Sequence, residues 1–163
     1  MARTTTKHVI GIQSASKLGF LKREALADEA FYPGHVLRFD SSEELEKHAT
    51  SGGVLVGKLV ADINPTPDTD TYPTTAAVSI PYVADDTAYY IEAQPGDIVL
   101  ARLGASATVV KGVTQLVSVG GSTAGTLAPE TVDATTLTGA VFGVADEDAT
   151  TTTATALIRV RVT

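Results

Sequence analysis

Residues 94–121 read "QPGDIVLARLGASATVVKGVTQLVSVGG", strand formers broken by turn residues, with no Cys or His among them. Pro95-Gly96-Asp97 signals a turn into "DIVLARL". There Val99, Ala101 and Leu103 fall on one side of an extended chain, and Ile98, Leu100 and Arg102 on the other. "GASA" turns the chain again, and "TVVKGVTQLVSV" returns with Gly112 as a bulge or kink. In its second half Val113, Val117 and Val119 share a face with Gln115. Strands this short, separated by turns, predict a mainly β chain folded as a small barrel or sandwich.

The same rhythm extends in both directions. Downstream, "GGSTAGTLAPETVDATTLTG" is a Gly/Thr-rich connection, and "AVFGVADEDA" gives a strand and an acidic turn. "ALIRVRV" closes the chain with Ile158, Val160 and Val162 inward and Arg159 and Arg161 outward. Upstream, "VSIPYV" and "AYYIEA" read as strands, and residues 54–60 as another. "NPTPDTDTYPTT" holds three prolines and forms a loop, an excursion over about 61–77. "YPGHVLRF" is a Pro-Gly turn followed by a strand.

Two short helices are predicted. Leu21, Ala25 and Leu26 recur at helical spacing within 21–30. Ser41 followed by Glu44 matches a capping box for a helix over 42–49. Residues 1–20 read as an extended arm, and 21–163 as a single β-rich domain.

Composition bounds the function. The chain has 163 residues, is 44% hydrophobic and is poor in aromatics at 6%; its apolar residues are mostly Ala and Val, which suit thin strand-built layers more than a deep pocket. A net charge of −7 makes nucleic acid a poor partner for the surface as a whole. Residues 1–23 run against this trend, with Arg3, Lys7, Lys17, Lys22 and Arg23 and no acid. A basic arm on an acidic body predicts docking on an acidic partner. Exposed ion pairs give only ~0.2–1 kcal/mol each, so backbone pairing through Val9, Ile10 and Ile12 is expected to contribute. There is no signal-peptide pattern and no apolar run long enough to cross a bilayer, so the expectation is a protein made in the cytoplasm with no membrane partner.

Chemistry is sparse. With no Cys, thiol chemistry and disulfides are excluded. His8, His35 and His48 lack zinc-site spacing. Asp62, Asp68 and Asp70, and Asp146, Glu147 and Asp148, are carboxylate groups without an EF-hand pattern. "GGSTAG" lacks the Lys-Ser/Thr of a phosphate loop, and no serine sits in a G-x-S-x-G elbow. Phe31, Tyr32, Tyr72, Tyr82, Tyr89 and Tyr90 form either core or an interface cluster. The expectation is a non-enzyme with no cofactor and no metal.

Residues 94–163 resemble the head decoration (capsid cement) proteins of tailed bacteriophages. The resemblance lies in a Pro-Gly-Asp strand leading to a V-x-K-G turn (Val109-Val110-Lys111-Gly112), and in a late G-x-A-x-E-D-A phrase. Here that phrase is Gly143-Val144-Ala145-Asp146-Glu147-Asp148-Ala149, ahead of a closing strand of alternating valines. The resemblance implies a structural virion protein that binds the outer surface of the assembled capsid and braces it. Its implied partners are the major capsid protein and itself, commonly as a trimer. Two other readings stay open: a virion-associated glycan- or cation-binding or hydrolytic module, and a β-rich tail or baseplate subunit.

Overall fold

A computed structural model describes residues 9–49, 57–64, 77–130 and 141–163. The chain is mainly β. In chain order the strands are β1 (Gly11–Gln13), β2 (Leu21–Leu26), β3 (Val36–Phe39), β4 (Leu45–Lys47), β5 (Lys58–Ala61), β6 (Thr87–Ala93) and β7 (Ile98–Leu103). They continue with β8 (Thr108–Val109), β9 (Gln115–Ser118), β10 (Leu127–Pro129), β11 (Val141–Ala145), β12 (Ala149–Thr150) and β13 (Ala156–Val162). Ala77–Ser79 and Gly121–Thr123 are single 3-10 turns.

The strands of the C-terminal half close into a barrel. Its order is β7-β10-β9-β11-β13, and β13 returns to β7 along an antiparallel ladder from Ala156↔Leu103 to Arg161↔Ile98. The alternation of "ALIRVRV" drives this closure: Ile158, Val160 and Val162 are buried while Arg161 is exposed. β8 and β12 form a separate two-stranded ribbon beside the barrel. "IVLA" of β7 is buried on both faces, because one face fills the barrel and the other lies against the N-terminal half.

The N-terminal half is a five-stranded sheet, β2-β6-β5-β3-β4, whose ends are joined by a bridge between Ala27 and Leu45. Its strands serve two cores through the two-residue alternation of side chains. Leu37, Leu59, Ala61, Ala88 and Tyr90 face a core with Phe31, Leu45 and Tyr82, while Val36, Val60, Ile91 and Ala93 join Val99, Leu100 and Phe142 in the other. Arg102 ties the halves. Its guanidinium donates to the Pro33 carbonyl at 2.9 Å and the Val78 carbonyl at 2.8 Å, and lies 5.1 Å from the centre of the Tyr32 ring. The Pro33-Gly34 turn fits this joint only without a side chain, since Gly34 has φ +85° and a Cβ there would meet Leu157.

Both predicted helices are corrected. Residues 21–26 form β2, since pairing with β6 satisfies more backbone than a six-residue apolar pattern could as a helix. The Ser41/Glu44 signal belongs to the β3–β4 hairpin turn. Asp40 accepts the Ser42 and Glu44 N–H groups, each at 2.8 Å, and Glu43 takes a left-handed φ of 63° that a helix start forbids. "VSIPYV" is not a strand either: it opens as the 77–79 turn, and only Tyr82 bridges, to Phe31. The predicted strands at 36–39, 87–93, 98–103, 141–145 and 156–162 are present, but "TVVKGVTQLVSV" is not one kinked strand: a turn at Gly112, with φ +70°, separates β8 from β9, which lie in different sheets. The proline-rich loop 65–76 and residues 54–56 of the predicted 54–60 strand lie outside the described residues.

Candidate attachment surface

Of the eight residues predicted to make contacts, Arg3 and Lys7 lie outside the described residues. The others fall on a segment that belongs to the body more than an arm does. Ile10 is fully buried, and its carbonyl accepts the Leu100 N–H at 2.7 Å. β1 pairs with β7 through Gly11↔Val99 and Gln13↔Ile98. Val9 and Ile12 flank this ladder and remain exposed. The backbone expected to extend a partner's sheet here already extends the chain's own.

A buried carboxylate fixes the path of the segment. Asp97, only 1% exposed, accepts the Ala15 N–H at 2.7 Å, the Ser14 hydroxyl at 3.3 Å and the Gln94 N–H at 2.9 Å. The Pro-Gly-Asp turn is therefore a clasp: Gly96, at φ +92°, makes the bend, and Asp97 grips the strand that precedes the body. The sequence marked the turn but gave no sign of its distant partner, which lies more than eighty positions away.

Two of the predicted cations are already engaged. Lys22 pairs with the buried Asp62 at 2.7 Å, and Arg23 with Glu92 at 3.0 Å. Lys17 is exposed and has no ion pair with a described residue, beside Leu18, which is 97% exposed. A second exposed apolar group lies at the ribbon tip, with Val110 and Val113 flanking Lys111. The third is a cleft of about 340 Å³ lined by Arg23, Phe39, Gly57, Leu59, Tyr90 and Glu92.

The clustered acids hold strands together. Asp146 accepts from the Arg161 guanidinium at 3.2 Å, Glu147 from the Arg159 N–H at 2.6 Å, and Asp148 from the Lys111 N–H at 2.8 Å. Asp68 and Asp70 are outside the described residues. Asp28, Asp40 and Glu44 bring ligand atoms within 4.8 Å of one another, a grouping the sequence did not suggest; Asp40 is already occupied by the turn it caps.

The aromatics divide between core and surface. Tyr82 stacks on Phe31 at 5.4 Å, donates to the Ile63 carbonyl at 2.8 Å, and is held well above its usual pKa by burial. Tyr32 is exposed beneath Arg102, Tyr90 meets Phe39, and Tyr72 is outside the described residues. His35 accepts the Tyr32 N–H at 3.2 Å, and burial, reinforced by Arg102 and Lys47, lowers its pKa to about 3. Lys58 is lowered by burial and donates to the Thr163 carbonyl. His8 is outside the described residues. These groups knit the body.

No family model matches the chain, and no curated protein matches it in sequence.

Proposed function

We propose that this protein is a structural virion component that binds the outer surface of an assembled tailed-phage capsid, through the major capsid protein, and stabilises the shell. The observation that carries this reading is the relation between the two phrases behind the resemblance. They are more than thirty residues apart in sequence, yet they form one unit. The Lys111 N–H donates to Asp148, the Gly112 N–H donates to the Ala145 carbonyl at 2.8 Å, and the β8–β12 ribbon joins them. In this chain the two phrases therefore act as one contacting unit and not as two separate turns.

The surface chemistry suits contact more than turnover. Exposed Val110 and Val113 on a pinned turn can bury apolar area against a partner with little loss of freedom. A protein that binds only the mature shell stabilises it by mass action. Cryo-EM of purified particles containing this protein tests the proposal, with density expected on the outer capsid face. Density confined to the tail or baseplate would replace it with the tail-subunit reading. Calcium-dependent thermal stabilisation or glycan binding by the isolated protein, without shell binding, would favour the ligand-binding module.

A further inference from the structure

The core of the N-terminal half opens at one end. Directly opposed residues of an antiparallel pair lie on one face of a sheet, and so do residues two apart on a strand. Arg23 opposes Tyr90 and Leu59 opposes Glu92, while Phe39 comes two residues after Leu37, which opposes Leu59. All five side chains therefore share the face that carries the core of Leu37, Leu59 and Tyr90. With Gly57 they line the cleft of about 340 Å³. Gly57 brings no side chain to the opening, and a Cβ there would meet only Leu59 within 4 Å.

Two observations point into this opening. Tyr90 is only 5% exposed, yet its hydroxyl makes no hydrogen bond to a described residue. Arg23 and Glu92 both act on the ionisation of that hydroxyl, which sets it beside their ion pair. A buried phenol normally finds a hydrogen-bond partner. Phe39, whose ring stands nearly perpendicular to that of Tyr90 at 5.8 Å, is 43% exposed.

We propose that this cleft binds one neutral sugar ring. A charged ligand is disfavoured, because Arg23 and Glu92 already neutralise each other at 3.0 Å and would have to separate. A purely apolar ligand would strip water from that pair without replacing its hydrogen bonds. A ring bearing hydroxyls meets both demands. The guanidinium donates to it, the carboxylate accepts from it, and the Tyr90 hydroxyl does either. The C–H face of the ring packs on Phe39, whose aromatic face carries the opposite partial charge. The volume lies at the small end of the ~300–1,000 Å³ range of ligand pockets, which suits a single ring.

The proposal does not rest on capsid binding. The cleft belongs to the N-terminal half and the β8–β12 ribbon to the C-terminal half, so sugar binding and shell attachment can fail separately. Sugar binding by a shell-bound protein would add a function and replace none.

Amide chemical shifts of the isotope-labelled full chain test this, with the methyl glycosides of glucose, galactose, mannose and N-acetylglucosamine as probes. At least one glycoside is expected to shift the amides of Arg23, Phe39, Leu59 and Glu92 saturably, with a Kd on the order of millimolar for so small a ligand. Tyr90→Phe keeps the ring and removes the hydroxyl, and is expected to weaken that binding about threefold to tenfold. Phe39→Ala is expected to weaken it about tenfold or more, and an otherwise unchanged amide spectrum checks that the fold holds. Benzoate and choline serve as charged comparators. No saturable shift at these amides with any glycoside, tighter binding of benzoate or choline than of every glycoside, or an affinity indifferent to Tyr90→Phe overturns the proposal.

Discussion

A single carboxylate decides where the N-terminal segment lies. Asp97 to alanine leaves the Ala15 and Gln94 N–H groups without their acceptor. The expected cost is about 1–3 kcal/mol in urea unfolding, with faster amide exchange at Ala15. His35 gives a residue-scale pH dependence. Its folded pKa, about 3, lies below its unfolded value of 6.5, so between these the unfolded chain binds a proton that the folded chain refuses. Its contribution to stability is complete above pH 6.5 and is lost as the pH falls toward 3, with a slope of up to about 1.4 kcal/mol per pH unit. His35→Asn, which keeps an acceptor for the Tyr32 N–H, is expected to flatten the slope between pH 6.5 and 4.5 in urea titrations. An unchanged slope would assign it to other groups. Neither role is visible in the sequence, because both depend on what burial places around the side chain.

At the scale of elements, strands with strict alternation were legible and strands without it were not. β13 and β7 were read with the correct faces because burial on one or both sides leaves a direct hydrophobic record. β2 was misread because its side chains are nearly all exposed, so no core imposed a period on them. β4 was misread because Asp and Ser favour hairpin turns and helix starts for the same reason, a side-chain oxygen that accepts nearby N–H groups. The strand β11 carries its own test. A Cβ at Gly143 would approach the Arg161 carbonyl to 2.4 Å and Val160 to 2.8 Å, beside the irregular β9–β11 register. Gly143→Ala is expected to cost about 1–3 kcal/mol by forcing β11 from β13, read as a lower urea midpoint with unchanged m-value.

For the whole molecule, Ile10 to Ala15 are held by the body, so these residues do not belong to an arm running to residue 20. Ile10 seals the β7 edge, so removing it exposes buried apolar surface. Deleting residues 2–8 is expected to leave the thermal midpoint unchanged, whereas deleting 2–13 should cost about 2–5 kcal/mol, comparable to truncating a buried isoleucine. The shorter deletion is therefore the one to test on shells: loss of binding with an intact midpoint assigns attachment to Arg3, Lys7 and their neighbours. Undiminished binding assigns it to the body, with the Val110–Val113 tip as the next surface to alter.

The sequence by itself determined the β class, the faces of the long buried strands and the turn at Pro95-Gly96-Asp97. These are local properties, carried by alternation, turn residues and composition. Only the tertiary structure decided that β13 closes a barrel on β7, that Asp97 clasps Ala15, that Lys22 and Arg23 are held by Asp62 and Glu92, and that the stretches 109–112 and 143–149 touch. Each of these joins residues far apart along the chain. Their pairing is selected by how two cores pack together, and that leaves no periodic mark on either partner alone.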